Sequence, residues 1–371
     1  MPADEKEHDH AFDFVVIGHA IDSNALGRAI SMAMVAEAIG PTRLLAFGDG
    51  PIWKGASQFQ IETERLTKTW KRDLAALTGQ SSNRTVFWLS KGISPLDRLA
   101  TYISRTLPDA LIILDLDDDD AGLAEAFTRQ NLVNRLKLNP LRRGSARRIR
   151  QAQGRIARVA HGFTFSSNSL ASVYPKSFQP LARIPHVRED IGDHTQGRGL
   201  TAKMTFGSLG TLRPHKGSGL LLDLMRHNKD LTLVTFANCG LGKPESTDEN
   251  WIEIPPNTPL HEAYSQVDVS VIPITDDGPG AQFQLPAKLV DSMRSGVPVL
   301  ASPTPAINEI ASEAYTPLQA SLSPSAVADQ IRTLANGQSG QLARQRFEEL
   351  LTPAAAAGQL TSLLSVLDSR Q

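Results

Sequence analysis

The sequence predicts an α/β protein made of two parallel-sheet domains. Three observations point there. Short β-branched runs alternate with longer amphipathic stretches, the pattern of strands joined by crossover helices. That rhythm restarts after a polar, Gly- and His-bearing segment, "ARIPHVREDIGDHTQGRG" at 182–199. The chain has 371 residues, more than one hydrophobic core usually serves.

In chain order, "FDFVVIG" (12–18), "TVFWLS" (85–90), "ALIILDL" (110–116) and "GFTFSS" (162–167) read as strands, with amphipathic stretches such as 24–38 between them. After the break, "AKMTFGSLG" (202–210), "LTLVTFA" (231–237), "DVSVIPI" (268–274) and "VPVLAS" (297–302) repeat the pattern. These boundaries divide the chain into a first domain over 1–187, a second over 188–352, and an Ala/Leu-rich helix over 353–371 expected to pack across both.

Charge is balanced, 38 basic against 39 acidic residues, so the whole molecule has no field that would select nucleic acid. The leader "MPADEKEHDHAFDF" lacks an apolar stretch, and no later run approaches the ~18 apolar residues of a membrane span. A cytoplasmic protein is expected. Cys239 is the single cysteine, which excludes an internal disulfide and a cysteine-based zinc site.

Two common nucleotide motifs are absent. "GLGKPES" has the wrong spacing for a P-loop, and the turns "GHAIDSNALG" and "GSLGTLRPHKG" are not G-x-G-x-x-G. The second turn nonetheless gathers Gly207, Gly210, Arg213 and Lys216 before Gly217 opens a helix. Small residues, two cations and free helix N–H groups at one strand end make an anion site. The alternative is an ordinary turn with solvated cations.

A second stretch, "LPAKLVDSMRSGVPVLAS" (285–302), puts Lys288 and Asp291 on one face of a helix started by Pro286 and stopped at Gly296. Lys288 suits a phosphate, and the Asp291 carboxylate suits ribose hydroxyls. A surface salt bridge, which stabilises little, is the other reading.

Together, "FGSLGTLRPHKG" and "VDVSVIPITDDGPGAQFQLPAKLVDSMRSGVPVLASPTPAINEI" resemble the carboxy-terminal half of the retaining GT-B glycosyltransferases of family four, over about residues 202–312. The resemblance implies two Rossmann-like domains facing across a cleft and transfer of a sugar from a nucleotide-diphosphate donor, without cofactor or metal, in glycan or glycolipid biosynthesis. It implies that Lys216 contacts the donor diphosphate, that Asp291 stands where the family has a ribose-binding glutamate, and that Glu309 occupies a family glutamate position. Gly207, Gly210, Thr211, Gln282 and Lys288 complete the expected donor set.

Two positions depart from the family. Its arginine before the lysine falls on Gly210 or Thr211, leaving Arg213 as substitute, and the first glutamate of its E-x7-E pair falls on Phe283. Asp276, Asp277 or Gln282 could replace that acid. A GT-B-like binding protein without transfer activity and a nucleotide-sugar epimerase are therefore the rival readings.

On the acceptor side, His19, Asp22 and Asn24 follow the first strand, with His19 a candidate catalytic group. The run "LDLDDDDAG" (114–122) offers Asp115, Asp117 and Asp118 for acceptor hydroxyls or an amine. Its Asp-x-Asp ends a strand of the half that does not hold the donor, so no metal role is assigned. "HDH" at 8–10 is expected to be a disordered leader.

From Ala126 through Arg188 the chain has no acidic residue and 13 lysines and arginines, most of them within 135–158. Such a block suggests an anionic lipid surface or acceptor, or else arginines that neutralise the Asp115–Asp120 run. It contains no aromatic residue, the stacking platform that single-stranded nucleic acid needs.

Overall fold

Two separate parallel sheets follow from the two rounds of strand and helix. A computed structural model describes residues 11–77, 83–130, 142, 144–192, 203–212, 216–241, 250–275, 278–319 and 322–370. The first sheet contains β1 (Phe12–Gly18), β2 (Thr42–Phe47), β3 (Thr63–Leu66), β4 (Arg84–Ser90), β5 (Leu111–Leu116), β6 (Gly162–Phe165) and β7 (Leu181–Arg183), ordered β3-β2-β1-β4-β5-β6-β7. The second contains β8 (Met204–Gly207), β9 (Leu231–Phe236), β10 (Trp251–Ile254), β11 (Val269–Ile272), β12 (Val299–Ala301) and β13 (Thr316–Pro317), ordered β10-β9-β8-β11-β12-β13.

Both orders reverse beside the first strand of their half, between β1 and β4 and between β8 and β11. In open parallel sheets, ligands bind at the carboxyl ends of strands flanking such a reversal. The central strands are continuous apolar runs because helices cover both faces; β5 is buried at every position.

The final helix, Pro353–Asp368, returns to the first half. Its Leu360, Leu363, Leu364 and Leu367 share a core with Phe14, Val16 and Ile30. Taken by length and composition alone, Ser339–Asp368 is apolar enough to cross a bilayer, contrary to the expectation that no run approaches that size. The chain instead divides there into helices Ser339–Leu350 and Pro353–Asp368. Thr352 caps the second, accepting a 3.2 Å hydrogen bond from the Ala355 amide, and its leucines are buried.

Several contacts tie the first half and the strap that follows β7 to the second half. In the strap after β7, the Arg188 amide donates to the Leu351 carbonyl at 2.9 Å. Asp190 pairs with Arg344. Gly280 lies so close to the helix Asp120–Gln130 that an added Cβ would stand 2.7 Å from the Leu123 amide nitrogen. Phe283 packs against the apolar core of the first half.

Candidate active site

A cavity of about 1070 Å³ lies between the carboxyl ends of the two sheets. Its second-domain wall grows from the β8 turn. Gly210 and Gly217 there have φ of +127° and +67°, conformations that glycine adopts without strain. A Cβ on Gly217 would also collide with Pro273 at 2.4 Å. Gly217 caps the helix Ser218–His227, and Lys216 immediately before it lines the cavity.

Lys288 reaches the same wall from the helix Ala287–Arg294 and donates to Ser208 Oγ at 3.3 Å. Burial, then the neighbouring Lys216 charge, pulls its ammonium pKa down to about 7. A dianion between the two lysines would reverse that shift. Asp291 lies one turn further along and is 7% exposed. Its Oδ1 accepts from Arg188 Nε at 2.6 Å.

The first-domain wall is built around Lys91, which has φ of 72° despite its side chain and is followed by Gly92 at φ 61°. Such a conformation persists only where its surroundings enforce it. The Lys91 amide donates to the Asp115 carbonyl at 2.9 Å. Its ammonium lies 2.7 Å from Asp117 Oδ1, in poor hydrogen-bond alignment, 3.0 Å from Asp118 Oδ2 and 3.4 Å from Asp120 Oδ1. Burial opposes its charge, but Asp117, Asp118 and Asp120 prevail and hold the ammonium well above its ordinary pKa. Asp120 moves the other way for a carboxylate: burial, with Asp118 and Asp117 adding to it, outweighs Lys91 and raises it to about 7.

Two imidazoles face this cluster. Burial, then Lys91, lowers His19 to about 4, against a smaller pull from Asp117. Burial, then Arg28 and Arg188, holds His186 well below the ordinary histidine range. Both rings are neutral at pH 7. This wall is therefore rich in hydrogen-bond acceptors, whereas the opposite wall presents lysines.

Residues 203–337 match the family model described as glycosyl transferases group 1. This stretch of the second half is similar to that family. Comparison with curated proteins gives no match. Among solved structures, Anabaena HepE in complex with UDP-glucose superposes with a TM-score of 0.67 at 12% identity, over 95% of this chain and 99% of that one. TarM gives 0.64 at 10% identity, over 96% and 99%. An alpha-glucosyltransferase in complex with UDP gives 0.60 at 9%, over 96% and 99%. At such identities the likeness speaks for the fold, and that fold is GT-B.

Within the matched residues, Lys216, Gly210, Thr211, Lys288 and Asp291 line the cavity, as do His19, Asn24, Asp117 and Asp118 across from it. Five expected site residues are placed elsewhere. Gly207 is required for packing, since a Cβ there would meet Val267 at 2.5 Å. Gln282 is outside the lining, where Gln284 takes part instead. Glu309 accepts 2.8 Å hydrogen bonds from the Asn168 and Ser169 amides and lies 3.4 Å from Arg183 Nη1, so its carboxylate joins the domains. Asp22 also lies outside the lining.

Asp115 is the fifth. It is fully buried and held by Arg28 through Nε at 2.8 Å and Nη2 at 2.6 Å, with Thr164 Oγ1 donating at 2.7 Å. Arg28 also donates to the Ile184 and Pro185 carbonyls, so this carboxylate anchors the strap from within the core. Arg213, Asp276, Asp277, His8, His10 and, within the basic block, residues 135–141 and 143 lie outside the described residues.

Sequence reasoning missed Lys91, His186 and Arg188. For Lys91 a signal existed: a buried strand end carrying several carboxylates requires a cation, and "SKG" ends the adjacent strand. His186 and Arg188 sit in a segment whose polarity reads as linker.

Proposed function

We propose that the protein transfers a sugar from a nucleotide-diphosphate donor to a hydroxyl-bearing acceptor, with retention of anomeric configuration and without a metal. The observation that carries this reading is the convergence of Lys216, which immediately precedes helix Ser218–His227, and Lys288 on one wall of the interdomain cavity. As the bond from the anomeric carbon to the diphosphate breaks, negative charge grows on the departing oxygen. Cations already held on that wall lower the barrier without reorganising. The acceptor oxygen forms the new bond on the same face, and its proton passes to the departing diphosphate.

In this reading Asp291 receives the ribose, while His19, Asn24, Asp117 and Asp118 face the acceptor. Neutral His19 accepts a hydrogen bond from the acceptor hydroxyl. Glycan or glycolipid assembly at the cytoplasmic face of a membrane fits an acceptor met beside the basic segment 135–158.

The deciding experiment is incubation with a panel of nucleotide sugars, beginning with UDP-glucose, the donor in the HepE complex. Nucleoside diphosphate release, with and without simple glycoside acceptors, is measured, and NMR reads the anomer formed. Release with a retained anomer is expected. Interconversion of the free donor sugar would identify an epimerase. Diphosphate binding without any turnover would favour a binding protein, a reading that Phe283, apolar at the family's acidic position, keeps in play.

A further inference from the structure

The donor reading gives Asp291 to the ribose, yet this carboxylate is already engaged. Arg188 binds its Oδ1 at 2.6 Å, and both side chains are nearly buried in the cavity wall. Arg188 is itself fixed from the first domain. Its Nη1 donates to Ser31 Oγ at 3.3 Å and to the Val187 carbonyl at 2.9 Å, and its guanidinium carbon lies 5.2 Å from the centre of the Phe59 ring. Taking one partner away from a buried ion pair is costly, so the two side chains hold each other in place. Arg188 fixes its plane.

Resting on the donor reading above, we propose that Arg188 is the positioning residue of the ribose subsite: by holding Asp291 Oδ1 it leaves Oδ2 to accept one ribose hydroxyl, and it ties that recognition to the first domain. Oδ2 has no protein partner among the described residues. A lone carboxylate could accept from both hydroxyls of the diol. This one, with an oxygen committed to a guanidinium, selects through a single hydroxyl in a fixed direction. The selectivity therefore depends on a residue that belongs to neither the second sheet nor its helices.

Affinity is measured by calorimetry for UDP, GDP, ADP and CDP, for the 2′,3′-dideoxy analogue of the tightest of them, and for inorganic pyrophosphate. Wild type, Arg188→Lys and Asp291→Asn are compared. Lysine preserves the charge beside Asp291, so the fold is retained, but a single ammonium cannot hold Oδ1, Ser31 and the Phe59 face together.

Arg188→Lys should weaken the ribonucleoside diphosphate about tenfold, as expected for one charged hydrogen bond, while the dideoxy analogue and pyrophosphate change less than about twofold. Adding Asp291→Asn should cost little more, since the two residues act as one unit. If Arg188→Lys leaves the ribo-to-dideoxy ratio at its wild-type value, or weakens all three ligands equally, Arg188 is only a domain tie and the inference fails. If no nucleoside diphosphate binds wild type, the donor reading itself fails. Arg188→Gln, checked by its unfolding transition, provides a second variant: the same loss confined to ribose-bearing ligands supports the proposal, and an unchanged ratio overturns it.

Discussion

Lys91 and Lys288 line opposite walls of one cavity, and their environments drive them in opposite directions. Lys91 is encircled by Asp117, Asp118 and Asp120, which hold its charge despite burial. Lys288 is partly buried beside a second lysine, and its pKa drops to about 7. The first lysine neutralises charge the protein already has, and its removal should damage the fold. The second forms no ion pair with a carboxylate among the described residues, and an anionic ligand would stabilise it. Burial of a cation does not by itself indicate a ligand site; the sign of its neighbours does.

The largest effect that tests this contrast is on stability. Lys91→Met leaves a cluster of buried carboxylates without their cation and should cost about 3–5 kcal/mol, as removal of one partner from a buried ion pair does. Chemical denaturation at pH 8 and pH 5 checks it. Asp120 has its folded pKa raised to about 7, so its contribution to stability is fully present below its unfolded pKa and is lost as pH rises through 7. The Lys91→Met deficit should therefore be larger at pH 8 than at pH 5, and Asp120→Asn should stabilise the protein at pH 8. A deficit under about 1 kcal/mol, the value of an exposed pair, would mean that Lys91 is not the structural cation of its wall.

Lys216→Ala should leave the unfolding transition in place and lower turnover of the donor about 10²–10³-fold, the effect of deleting one preorganised charge from a transition state. Steady-state diphosphate release measures it. Loss of stability together with activity would erase the distinction drawn between the two walls.

The pH dependence of donor binding sharpens the comparison further. A bound diphosphate raises the Lys288 pKa above its free value of about 7, so binding takes up a proton once the solution pH exceeds 7. Affinity for nucleoside diphosphate should then fall with rising pH, by up to about tenfold per unit, the limit for one linked proton. Lys288→Arg, always protonated, should flatten that fall. Calorimetry in buffers of different ionisation enthalpy counts the proton directly, and zero uptake at pH 8 would remove Lys288 from the phosphate site.

How much of this was legible in the sequence depended on whether one segment held the whole signal. The central strands were, because β1, β4, β5 and β9 are apolar runs buried on both faces. The edge strands were not: β3 is "TERL" and β13 only "TP", short and polar as edges tend to be. Lys216 and Lys288 could be read because a turn and a helix each present their own cation. Asp115 and Glu309 were misplaced since a carboxylate's partner decides its role, and Arg28 is 87 residues away from one, the Asn168 amide 141 from the other. Phe283 shows the reverse: its departure from the family was visible, but its contact with the first-domain core was not.

The smallest expected effect concerns the basic segment 135–158, which carries the membrane part of the proposed function. Its arginines were expected either to meet an anionic surface or to neutralise the Asp115–Asp120 run. The second task falls to Arg28 and Lys91. Within the helix Ala146–Ala157, Arg150 pairs with Glu125 and Arg155 with Asp97. Arg142, Arg147 and Arg148 are exposed and have no acidic partner among the described residues. Near an anionic leaflet each contributes about 1 kcal/mol, an attraction that fades within a Debye length. Three of them are expected to give weak, reversible attachment. Flotation with phosphatidylserine vesicles at low salt should carry part of the protein upward, with neutral vesicles carrying none and added salt releasing it. Replacing Arg142, Arg147 and Arg148 by glutamine should abolish flotation while leaving UDP-glucose turnover in solution within about twofold, because surface substitutions away from a site rarely exceed half a kcal/mol. Wild-type protein that ignores anionic vesicles at low salt would confine the acceptor to solution and leave the cavity chemistry untouched.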